Sequence, residues 1–158
     1  MNATVDLKRL AGLAALALVL AVAPACNEHD DPGQAESVVL VTGVTTGGLS
    51  VAAATDTTAT LTYTVNPRSP GATGFYNAVT LTNYSVTFDP AGLTPVSGVI
   101  STAYCPVGGS CSVVLTLVPL GGKPAAGTVV IATVDVDGRD TNDNPITFTA
   151  IVPLAFVP

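Results

Sequence analysis

The amino-acid sequence predicts an all-β domain, and three observations carry that reading. Beyond Ser37 there is no Glu, Gln, Met or Trp and a single Lys, so the residues that favour helices on exposed faces are nearly absent. From Cys26 onward, Val, Thr and Ile together make up about a third of the chain, and β-branched side chains at that density suit a pleated, half-buried surface. Gly and Pro recur roughly every ten residues, as they do at turns between short strands.

The first 25 residues fall outside that pattern. Lys8 and Arg9 precede an apolar run from Leu10 to Ala23. The run is shorter than the roughly 20 residues of a membrane-spanning helix, and with its basic flank it reads as a secretory signal segment that is removed. Ala23-Pro24-Ala25-Cys26 follows, and then the polar stretch that opens with Asn27. Small residues directly before a cysteine, at the end of such a segment, resemble the lipobox of bacterial lipoproteins. The resemblance implies that the Cys26 thiol is diacylated, that the chain is cut before it, that the new amine is usually acylated with a third chain, and that Asn27 directs the product to the outer membrane. An ordinary signal peptide cut after Ala25 is the alternative, and it leaves Cys26 a free thiol. The total of three cysteines supports acylation, since one is left over from any pair.

Residues 26–37 then form the expected lipidated N-terminus and tether. Four acids and no large apolar side chain lie between Asn27 and Ser37, too little apolar surface to offset the entropy of ordering. The only histidine of the chain, His29, sits there and reads as a solvated tether residue.

Alternation places the strands from residue 38 to 158. Stretches near Val38–Val44 and Leu49–Ala53 are the first two. Leu61, Tyr63 and Val65 alternate with Thr60, Thr62 and Thr64, a strand with one wet face. Val79 and Leu81 keep odd phase while Tyr84, Val86 and Phe88 are even, which predicts a bulge or bend near Asn83 because a slip of one residue exchanges the faces. Val113, Leu115 and Leu117 mark another strand. Gly127 to Val136 is apolar on both faces and is expected to be central. Ile146, Phe148, Ala150, Val152, Leu154 and Phe156 hold one phase in the last strand, where Pro153 marks an edge or a bulge. About seven strands fit an antiparallel immunoglobulin-like sandwich of two sheets; a small β-barrel is the other architecture of this size. The segment TLTNYSVTFDPAGL, the strand ending at Val136 and the terminal GRDTNDNPITFTAIVPLAF resemble immunoglobulin-like domains of uncharacterised bacterial lipoproteins. That resemblance implies a fold and a mode of anchoring, and no activity.

Charge narrows the function classes. From Cys26 on, Arg68, Lys123 and Arg139 are the only basic residues against ten acids. Such a chain has no phosphate-binding footprint, so nucleic acid is not an expected partner. Cys105 and Cys111 enclose five turn-forming residues, and in an oxidising compartment they are expected to form a disulfide. A reactive dithiol needs a nearby cation or a helix N-terminus, and no Lys, Arg or His lies within ten residues.

Asp135, Asp137, Asp140 and Asp143 form the one dense charge cluster of the domain. Calcium takes six to eight oxygens from loops of this kind, and Asp140 to Pro145 resembles the calcium-binding linker of cadherins. The competing reading is a hairpin in which Asp, Asn and Gly serve turn geometry, with Asp135 and Asp137 on one face and Asp140 and Asp143 astride the turn. Weak calcium binding is therefore the only cofactor in view. Catalysis has little to work with. No histidine follows Ser37, so a Ser-His-Asp or Cys-His arrangement has no base. The stretch from Asn66 to Asn77 offers Arg68 beside Phe75 and Tyr76, a composition favoured at interfaces; the competing reading has the two rings plugging one end of the sandwich. The expectation is a non-enzymatic structural or interaction module, tethered to the bacterial outer membrane and in contact with an envelope protein or glycan. A domain that holds weak calcium or a carbohydrate in loops at one end is the alternative.

Overall fold

The computed structural model describes residues 37–68 and 78–158. Within them the chain forms strands β1 (Ser37–Gly47), β2 (Thr57–Pro67), β3 (Val79–Asp89), β4 (Val96–Cys105), β5 (Ser110–Val118), β6 (Val129–Asp140) and β7 (Pro145–Ala155). A single 3-10 turn, Leu120–Gly122, is the only helical element described. Every ladder is antiparallel. Three strands make one sheet in the order β1-β2-β5, and four make the other in the order β4-β3-β6-β7. The two sheets pack face to face as an immunoglobulin-like sandwich. No ladder joins them, which separates this architecture from a closed barrel.

The period-two pattern explains the core. Ala59, Leu61, Tyr63 and Val65 of β2 turn inward with Leu115 and Leu117 of β5. They meet Val79, Leu81 and Val86 of β3, Val130 to Val136 in alternate positions on β6, and Ala150, Val152 and Leu154 of β7. Each fully buried Leu or Val contributes about 1.5–3 kcal/mol relative to exposure. The phase slip in β3 is real: register with both neighbours shifts between Leu81 and Asn83. Beneath that bulge lies Gly138, where an added Cβ would stand 2.6 Å from the Thr80 carbonyl oxygen. Glycine there reflects close backbone approach inside a strand, not a turn.

Several expectations need correction. Leu49–Ala53 is no strand but a bend, joined to the C-terminal segment by one parallel bridge between Ser50 and Val157. Hydrogen bonds of its backbone with Val157, and of the Lys123 ammonium with the Ser50 and Ala53 carbonyls (2.7 and 3.2 Å), hold that bend. The seventh strand is instead β4, which alternation did not reveal because Gly98, Ser97 and Ser101 blur its apolar face. β6 is central as expected, between β3 and β7. Its outward side is open, however, with Val129 and Ile131 exposed. β7 is an edge strand, in keeping with Pro153.

Candidate functional site

The β6–β7 hairpin carries the acidic cluster, and the strands run further into it than a loop reading allows. Asp135 and Asp137 lie within β6, facing outward, directly opposite Thr149 and Thr147 of β7. The Thr149 hydroxyl donates to Asp135 Oδ1 at 2.6 Å and the Thr147 hydroxyl to Asp137 Oδ1 at 3.0 Å. Asp140 closes the ladder and is buried. One of its carboxylate oxygens accepts the backbone N–H groups of Asn142 and Asn144, both at 2.9 Å, and the other accepts the Asn144 amide at 3.0 Å. The Asp143 N–H returns to the Asp140 carbonyl, and Asp143 itself takes a left-handed φ of 66°, a conformation that Asp tolerates through local hydrogen bonding. Arg139 donates to Asp143 Oδ1 at 2.7 Å on the exposed surface, where such a pair contributes about 0–1 kcal/mol.

The four carboxylates therefore point to three places: the outer sheet face, the buried turn and the exposed tip. Each already has donors of its own. Among the described residues no group of three or more His, Cys, Asp or Glu side chains is placed to hold a metal ion, and the divergence of these carboxylates gathers no cage of the six to eight oxygens that calcium takes. The turn chemistry of Asp, Asn and Gly accounts for the sequence.

The disulfide is formed. Cys105 and Cys111 are joined with their Cα atoms 6.0 Å apart, within the usual range for such a bridge. The bond has more reach than a local clip, because Cys105 ends β4 in one sheet and Cys111 lies in β5 of the other. Between them, the Gly108 N–H donates to the Val65 carbonyl at 2.8 Å, seating the loop on the end of β2. Arg68 is exposed at the end of β2, while its expected companions Phe75 and Tyr76 lie outside the described residues, as does Cys26.

Sequence reasoning missed a groove between the edge strands β4 and β5. It has a volume of about 400 Å³ and is lined by Tyr84, Val99, Ile100, Val113, Val114 and Leu115, with Ser and Thr between them. The Tyr84 hydroxyl crosses from the four-stranded sheet to donate to the Thr116 carbonyl at 3.2 Å. A Cβ on Gly98 would come within 2.8 Å of that hydroxyl, so glycine leaves room for the ring. Val99 is 81% exposed and Val114 65%. The signal for this groove is present in the sequence as a silence: from Pro90 to Gly122 there is no Asp, Glu, Lys, Arg or His.

No family model matches the chain, and no curated protein matches it. A solved X-ray structure, that of Northeast Structural Genomics Consortium target SoR45, is similar over 78% of this chain and 88% of its own, with a TM-score of 0.46 and 12% identity. A likeness of that extent says nothing about function.

Proposed function

We propose that this protein is a non-enzymatic structural or interaction module of the bacterial cell envelope, held at the outer membrane by acyl chains on Cys26. The observation that carries the reading is the order of parts along the chain. An apolar segment ends in small residues before Cys26, ten residues separate that cysteine from Ser37, and the sandwich begins there. Such an order supports a rigid domain on a short acidic tether. Two acyl chains anchor stably, since each buried methylene contributes about 0.8 kcal/mol. The lack of a histidine after Ser37 and the engagement of each clustered aspartate in turn or cross-strand bonds support a module that works by contact. The partner on this reading is an envelope protein or glycan.

The test is direct. Mass spectrometry of the mature protein is expected to show a triacylated Cys26 at the N-terminus, and Cys26→Ser is expected to move the protein from the membrane to the soluble fraction. An unmodified start at Cys26, or membrane association that survives the substitution, would overturn the anchor.

A further inference from the structure

The two ends of the Cys105–Cys111 bond stand in different surroundings. Cys105 closes β4 and is 0% exposed, packed among the core side chains. Cys111 lies in β5 at a sheet edge, opposite Tyr63 of β2, and is only half-buried. One disulfide therefore joins a cysteine closed to solvent and a cysteine open to it.

The loop between them adds to the difference. The Gly109 N–H donates to the Pro106 carbonyl at 2.9 Å, and the Gly108 N–H to the Val65 carbonyl at 2.8 Å. A Cβ on Gly109 would stand 2.8 Å from the Pro106 carbonyl oxygen, so glycine keeps this turn tight. The Gly109 carbonyl accepts the Val65 N–H at 3.4 Å and lies 3.8 Å from Cys105 Sγ. The inner sulfur thus has the negative end of a fixed carbonyl dipole beside it.

A disulfide opens when a thiolate attacks one sulfur and the other leaves as a thiolate, and access selects the sulfur that is attacked. At Cys105 the incoming anion has to enter the core and pass a carbonyl oxygen, and burial of a charge without a partner is costly. At Cys111 it arrives from solvent. The leaving thiolate at Cys105 is disfavoured by its burial. That cost slows opening without moving the point of attack, because no path reaches Cys105 while the sandwich is closed.

We propose that Cys111 is the exchange site of this protein, at which a small thiol forms a mixed disulfide, and that Cys105 is the resolving thiol. In opening, the incoming thiolate bonds to Cys111 Sγ and the Cys105–Cys111 bond breaks. The incoming sulfur is oxidised, the Cys105 sulfur is reduced, and the Cys105 thiolate takes a proton from solvent. The resulting thiol is placed to donate weakly to the Gly109 carbonyl. Closing reverses these steps: Cys105 loses its proton, attacks Cys111 Sγ of the mixed disulfide and releases the small thiolate. No Lys, Arg or His lies within ten residues to hold a thiolate, which fits a substrate of exchange better than a catalyst of it. The proposal goes beyond the anchored-module reading and does not depend on it.

The experiment starts from the native, oxidised full chain, so that the fold is intact at the moment of attack. The protein is incubated with reduced glutathione, quenched with acid at short times, unfolded in urea and alkylated with N-ethylmaleimide. Tandem mass spectrometry then places each adduct on Cys26, Cys105 or Cys111. The product with glutathione on Cys111 and maleimide on Cys105 is expected in at least about tenfold excess over the reverse. When the attack itself is carried out in urea, the excess is expected to fall to about twofold or less, since unfolding opens both sulfurs. In a second arm, Cys105→Ser and Cys111→Ser are each treated with oxidised glutathione, their folding verified by far-ultraviolet circular dichroism. Cys105→Ser is expected to keep a stable adduct on Cys111, and Cys111→Ser to gain one on Cys105 at least about tenfold more slowly. Glutathione on Cys105 of the native protein in equal or greater amount would overturn the proposal. So would an excess at Cys111 that survives in urea, or equal adduct rates in the two folded variants.

Discussion

Tyr63 is the residue at which the fold is least satisfied. Its ring packs in the core 6.1 Å from that of Phe148, and its buried hydroxyl has no hydrogen-bond partner among the described residues. Leaving such a group unpaired costs about 1–3 kcal/mol. Tyr63→Phe removes the oxygen and keeps the ring, so it is expected to raise unfolding stability by about 1 kcal/mol in urea titrations; a loss of similar size would show that the hydroxyl is bonded. Burial also pushes the Tyr63 hydroxyl above the ordinary tyrosine range. The folded state thus favours the neutral form, and this part of stability is intact below about pH 10, where a tyrosine of the unfolded chain titrates. It is lost as pH rises from there toward the folded pKa. The native protein is expected to show this alkaline loss in melting temperature, and Tyr63→Phe to show less of it. Sequence alternation placed Tyr63 inward correctly, but what surrounds its oxygen depends on strands far away in the chain.

At the scale of elements, the β6–β7 hairpin shows how a dense acidic motif dissolves into separate tasks. Asp135 and Asp137 bond to the threonines opposite, Asp140 organises the turn, and Asp143 occupies the left-handed position. The face shared by Asp135 and Asp137 was legible from period two. The continuation of β6 to Asp140 was not, because Gly138 reads locally as a turn former and only the bulge of β3 above it explains a glycine in the strand. Calcium binding weaker than about 10⁻³ M is expected, beyond the weakest of extracellular modules. At about 1 mM calcium such an affinity adds no more than about 0.4 kcal/mol, or roughly 2 °C in melting temperature. A larger calcium-dependent rise, lost in Asp137→Asn, would show that the carboxylates rearrange around an ion. β4 escaped notice for a related reason: its serines and glycine hide the alternation, and it becomes a strand by pairing with β3.

At the scale of the whole molecule, the chain changes sheets between β4 and β5, and the Cys105–Cys111 bond spans that step. Closing so short a loop is worth about 2 kcal/mol by loop entropy. Reduction, or paired Cys→Ala substitution, is expected to lower stability by about that amount in urea and to leave the β-sheet circular dichroism intact. Loss of cooperative unfolding instead would mean that the bond holds the sheets together.

The all-β class, the bulge in β3, the confinement of Pro153 to an edge or a bulge, and the pairing of the two cysteines were determined by the sequence alone. Each follows from a local cause: the period of apolar residues, the β-branched content, a missing N–H, or the short loop between two thiols. Tertiary structure alone decided which strands became edges, that β4 exists, that the aspartates diverge, and that an uncharged groove opens between β4 and β5. These depend on which residues from distant parts of the chain come to lie side by side. A pattern of period two records which way a side chain points, but not which strand will stand beside it.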